Sequence, residues 1–202
     1  MKKILRVFIV FVALIFTWPI FLYKTYGNID YKLKGKTIII SNHYSTFDAF
    51  FIYLHFRKKR IRFVTIVDVK KNIISRFLTW LFDCLYIDYN STNLSLFKDL
   101  IKILNEDGVI CIFPEGEINP TKFGVMTFQK SFMFLAEKTN ATIVPLFVYP
   151  ELKFFKKTKI FIGDEITSTE YLSYPSREQA VNDIQFLICQ YSLDENFSNA
   201  KN

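Results

Sequence analysis

Between Lys34 and Tyr191, short apolar runs alternate with segments of helical periodicity. The run at 37–40 (Thr-Ile-Ile-Ile) is β-branched throughout and predicts a strand buried on both faces. Further strands are expected at 61–67, 86–89, 109–113, 142–149 and 159–162. Helical patterns fall between them, at 46–57, 73–85, 94–104 and 128–138, with a last helix at 177–191. Gly108 closes the third of these at the expected C-cap. Strands and helices alternating at this spacing predict an α/β domain: a mostly parallel central sheet flanked by helices.

The pattern changes at the amino terminus. After Lys2, Lys3 and Arg6, residues 7–23 carry no charge and are apolar on every side of a helix. A buried core helix would show a stripe instead. Seventeen helical residues span about 25 Å, against a hydrocarbon core of roughly 30 Å. The end of the run, Thr17-Trp18-Pro19-Ile20-Phe21, lacks the small residues of a signal-peptide cleavage site. The expected division is a membrane anchor at 1–27, a folded domain at 28–194 and a polar tail at 195–202. Trp18 and Tyr23 would sit at the interface, and the basic end favours a cytoplasmic amino terminus. The domain is then expected on the cytoplasmic face, held by a helix that enters one leaflet.

Composition is compatible with an anionic partner, a membrane surface or nucleic acid, but does not decide between them. The net charge is +7, and 18% of residues are aromatic. The run Arg57-Lys58-Lys59-Arg60-Ile61-Arg62 suits either a solvated loop or an anionic lipid surface. No nucleic-acid module surrounds it, so nucleic acid is not expected as a partner. Cys84, Cys111 and Cys189 have no metal-site spacing and read as buried thiols; no metal is expected.

Two strings carry candidate chemistry. In 42-NHYSTFD-48, Ser45-x-x-Asp48 fits a helix capping box. Asp48 in the first helical turn also suits a hydrogen bond to His43, which would fix the other ring nitrogen as a base. The two roles are compatible. His55, the other histidine, lacks a nearby carboxylate in sequence and is expected to be structural. The second string, 111-CIFPEGEIN-119, puts Glu115 and a flexible Gly116 at the end of a buried strand. Open α/β sheets bind ligands at that edge.

In this order, about 70 residues apart, the strings resemble those of the 1-acylglycerol-3-phosphate O-acyltransferases, a family of lysophospholipid acyltransferases. Asn42-His43-x-Ser45-x-x-Asp48 matches the family's NHxSxxD motif, and Phe113-Pro114-Glu115-Gly116 opens its FPEGTRS motif. The stretch from Cys84 to Tyr89 aligns with GxxFIDR, and Ile143-Val144-Pro145-Leu146 with a late VPV block. The resemblance implies transfer of an acyl group from acyl-CoA or acyl carrier protein to a lysophospholipid hydroxyl, without a cofactor, at a lipid bilayer. His43 would be the base and Asp48 its partner, with Glu115, Gly116 and Asn119 at the acceptor. Tyr89 stands where the family has a phosphate-binding Arg, and Glu117-Ile118-Asn119 replaces Thr-Arg-Ser; the FPEG-Glu-Ile-Asn string is closer to the FPEG-Lys-Val-Asn of tafazzin-like transacylases. Lys122 and Lys130 are the cations placed to compensate. The acceptor the resemblance favours is 1-acylglycerol-3-phosphate; the alternatives are an acyltransferase or transacylase acting on another lysophospholipid headgroup, and a non-catalytic lipid-binding protein on the same fold.

Overall fold

The computed structural model of the chain describes residues 12, 22–66, 73–82, 84–87, 94–121, 123–151, 153 and 156–193. Among the described residues, seven strands form one sheet: β1 (Tyr23–Gly27), β2 (Thr37–Ser41), β3 (Ile61–Ile66), β4 (Leu85–Ile87), β5 (Val109–Ile112), β6 (Thr142–Tyr149) and β7 (Thr158–Ile162). Their order is β1-β7-β6-β2-β5-β3-β4. The strands from β6 to β4 are parallel, β7 runs antiparallel to β6, and β1 is parallel to β7.

Helices cover both faces: α1 (Asp48–His55) and α2 (Ile73–Leu81) on one, α3 (Leu94–Asn105), α4 (Ser131–Thr139) and α6 (Arg177–Tyr191) on the other. The short α5 (Ser168–Tyr171) precedes α6. Strand β2 shows why the sequence dictates this arrangement. All five of its residues are buried; Ile38 and Ile40 join the core under α3, α4 and α6, while Ile39 joins the core under α1 and α2. A strand with no polar face requires a layer on each side. The α3 stripe of Leu96, Leu100 and Leu104 supplies one turn after another of that covering layer.

The expected strands and the long helices are present, with shifted ends. Helix α1 starts at Asp48 rather than Thr46, α2 stops at Leu81, and α4 starts at Ser131 because 128–130 is a turn-like approach to it. Two elements were not expected. Helix α5 is set by a capping box between Thr167 and Glu170. Strand β1 occupies 23–27, inside the stretch the hydrophobic pattern assigns to the anchor. The alternation Tyr-Lys-Thr-Tyr is a strand signal that the preceding apolar run hides. Gly27 ends the strand at φ +73°, where a Cβ would stand 2.2 Å from the Ile162 carbonyl oxygen. Only glycine fits that approach.

Residues 1–11 and 13–21, which carry most of the expected anchor, lie outside the described residues, as does the tail at 194–202. Among the described residues, no helix is long and apolar enough to cross a membrane. The three cysteines are free thiols, and only Cys111 is fully buried; Cys84 and Cys189 are half-buried, which corrects the expectation for those two.

Candidate active site

Strand β2 ends at Ser41, and the next residue sets the path of the loop beyond it. Asn42 is wholly buried; its Oδ1 accepts from the Val148 backbone N–H at 2.7 Å, and its Nδ2 donates to the Val148 carbonyl at 2.9 Å. The amide thus substitutes for a strand residue and continues β2 against β6 for one more step. His43 emerges from this anchored point at the carboxyl edge of the parallel strands. The sequence gives no sign of that role beyond Asn42's place in the motif.

His43 Nδ1 lies 3.1 Å from Asp48 Oδ2. The same oxygen accepts the backbone N–H groups of Tyr44 at 2.7 Å and Ser45 at 2.8 Å. Only half of the expected capping box forms. Asp48 does reach back to the Ser45 N–H, but Ser45 Oγ accepts from Phe47, and the α1 N-cap is Phe47 without a side-chain cap. The carboxylate is therefore directed at the loop carrying His43 rather than at the helix end. Burial pushes the Asp48 carboxyl above its ordinary range, opposed by the hydrogen bond from His43. Asp48 Oδ1 is buried without a hydrogen-bond partner.

The imidazole stacks on Phe113 at 4.2 Å between centroids and 18° between planes. Phe113 follows β5, beside β2 in the sheet, so both strand ends hold the ring. With Nδ1–H donated to Asp48, Nε2 is the free acceptor. The His43 side chain keeps 19% of its surface exposed, enough to meet a substrate.

Glu115 is brought to the same loop by a turn in which the Gly116 N–H donates to the Phe113 carbonyl, with Gly116 at φ +80°. Its two oxygens are both engaged: Oε1 accepts the His43 backbone N–H at 2.9 Å and Oε2 the Met126 N–H at 3.0 Å. Burial raises the Glu115 carboxyl, against the pull of those two donors. Its place is beside the pair, as a brace for it. Asn119 is also turned inward. Its backbone N–H donates to the His43 carbonyl at 2.7 Å, and its Oδ1 accepts from Thr121 N–H and Oγ1.

The expected phosphate readers are a different matter. Tyr89 and Lys122 lie outside the described residues. Lys130 precedes α4 and pairs with Glu178 of α6 at 3.0 Å, an exposed contact between helices. His55 packs edge-on against Phe56 and Tyr23, and burial lowers its pKa, as suits a structural histidine. Among the described residues, no cluster of three or more His, Cys, Asp or Glu is placed to hold a metal ion. Sequence reasoning missed Phe113 as the ring's support and Met126 as the second donor to Glu115. A backbone donor leaves no trace in residue identity.

The carboxyl edge of the parallel strands thus carries a histidine backed by a buried carboxylate. The chain belongs to the Acyltransferase family, whose model matches residues 24–149, from β1 through the end of β6. Among solved structures, the fold is similar to the 1-acyl-sn-glycerophosphate (LPA) acyltransferase PlsC from Thermotoga maritima, with a TM-score of 0.68. The likeness covers 90% of this chain and 75% of that one at 17% identity.

Proposed function

We propose that this acyltransferase moves a fatty acyl group from a thioester to the free hydroxyl of a lysophospholipid, with lysophosphatidate as acceptor and phosphatidate as product. The observation that carries the proposal is the 3.1 Å contact between His43 Nδ1 and Asp48 Oδ2. An alcohol is too weak an acid to ionise at neutral pH, but imidazole takes its proton as the new bond forms. His43 Nε2 accepts the hydroxyl proton while the oxygen attacks the thioester carbonyl. The C–S bond then breaks, and the imidazolium returns the proton to the departing thiolate. Asp48 stabilises the imidazolium and fixes the tautomer. The reaction uses no cofactor; acyl-CoA or acyl carrier protein supplies the acyl group. The fold's likeness to a protein named as an LPA acyltransferase supports the choice of acceptor.

The domain works on the cytoplasmic face of a membrane in this reading. Tyr23, where the uncharged run 7–23 joins the sheet, has its ring 6.2 Å from that of His55, and the Arg57 charge acts on its hydroxyl. Of the exposed basic residues 57–60, Arg57 thus lies near the start of β1, which supports a role for it at anionic lipid.

A second acceptor reading rests on Ile118, which is 42% exposed and stands where the FPEGTRS motif that the chain resembles has its arginine. Neither it nor Tyr89 supplies a bidentate fork for a phosphomonoester, so larger headgroups are tolerated better here. The test is thioester release with a panel of lysolipids. Lysophosphatidate should turn over, and His43→Ala should lose about 100- to 10,000-fold. Release unaffected by His43→Ala would end the proposal. A preference for lysophosphatidate above about a thousandfold over lysophosphatidylethanolamine, roughly 4 kcal/mol, would refute the relaxed selectivity.

A further inference from the structure

The loop at 117–124 is ordered at its root and apolar at its tip. Asn119 holds the root: it is buried, its N–H meets the His43 carbonyl, and its Oδ1 takes two hydrogen bonds from Thr121. The Thr121 hydroxyl in turn accepts the Phe123 N–H at 3.3 Å. This bonded turn presents Phe123 with 82% of its surface exposed, and Ile118 is exposed at 42%. Among the described residues, no large hydrophobic side chain is more exposed than Phe123, and aromatic side chains favour the membrane interface.

The registers indicate what covers Phe123. Tyr149, at the carboxyl end of β6, pairs with Lys159, and Lys159 pairs with Lys24. Strand β1 therefore begins at the edge of the sheet that carries His43. The uncharged run 7–23 joins the domain at this edge, and the loop root is bonded to His43 there as well. The chain's net charge of +7 complements an anionic surface. We infer that the loop carrying Ile118 and Phe123 is a second lipid contact: these two side chains enter the interface of an anionic phospholipid bilayer. The bond from Asn119 to the His43 carbonyl then sets the base at a fixed height over the lipid surface, where an acceptor hydroxyl lies. The inference rests on the acceptor being a membrane lipid and adds the surface that meets it.

Two measurements on the full chain test this. Phe123→Trp should add fluorescence that brominated phosphatidylglycerol vesicles quench, whereas Leu172→Trp should add none that they quench. Leu172 is 56% exposed and follows α5, at the opposite edge, where Ile166 bridges to Ile143 near the start of β6. Phe123→Ser should lower kcat/KM about tenfold on lysophosphatidate embedded in those vesicles, the order expected for one lost aromatic contact. Its activity on a short-chain, water-soluble lysophosphatidate should match the parent's. An unquenched tryptophan at 123 would overturn the inference. Equal losses on both acceptors would also overturn it, placing Phe123 in the acyl pocket. Absence of transfer by the parent on either acceptor would instead remove the proposed activity, and quenching would still report the contact.

Discussion

Glu115 offers the sharpest perturbation, because the family motif alone suggests a substrate contact and the geometry suggests a brace. Its two carboxylate oxygens hold the backbone N–H groups of His43 and Met126 at 2.9 and 3.0 Å. Glutamine in its place keeps one acceptor oxygen and turns an amide N–H2 toward the other donor. One buried N–H is left without a partner, at a cost of about 1–3 kcal/mol, and the remaining bond loses its charge assistance. That is a sizeable part of a typical domain's stability of roughly 5–15 kcal/mol. The active-site consequence depends on His43 moving. A shift of about 1 Å in a reacting group lowers rates by on the order of a hundredfold. Glu115→Gln should therefore lower the urea midpoint and reduce kcat by about ten- to a hundredfold. KM for both thioester and lysolipid should stay near the parent values, since no acceptor contact has been removed. The assay is initial-rate kinetics over both substrates, with urea unfolding in parallel. A raised lysolipid KM at unchanged kcat and unchanged stability would refute the brace and make Glu115 a substrate ligand.

Asp48→Asn keeps an acceptor at the Oδ2 position but sets two amide hydrogens at Oδ1, which is buried without a partner. Rate loss should be smaller than for His43→Ala and stability loss larger, as read by kinetics and thermal unfolding. The pH dependence comes from burial, which raises the Asp48 carboxyl above 3.8. The folded state then binds this proton more tightly than the unfolded state, so stability from Asp48 is greatest below the ordinary carboxyl value and falls as pH rises through the raised one. The stability gap between parent and Asp48→Asn should shrink as pH rises from about 3 to about 7; a widening gap would contradict the shift. Asn42→Ala should cost about 1–3 kcal/mol for each of the two Val148 backbone groups it leaves unpaired, measured by urea unfolding; a total below about 1 kcal/mol would rule out the pinning role.

The alternation of apolar runs and helical stripes was enough to place the central strands, since a strand such as β2 with no polar residue facing outward has to be covered on both sides. Local sequence also carried His43 and Asp48, five residues apart across a strand-to-helix junction, because their meeting needs only one turn of chain. Tertiary structure decided the rest. Strand β1 was hidden because its pairing partner, β7, lies more than 100 residues away, and an apolar run beside it dominates the local pattern. Glu115 and His43 are separated by 72 positions, and their bond runs to a backbone N–H that every residue but proline has, so residue type could not reveal it. The exposed contact of Lys130 with Glu178 of α6 likewise joins residues far apart in the chain. Side-chain identity and short-range spacing thus determined the chemistry on offer, while strand order across the sheet determined which groups were left free to perform it.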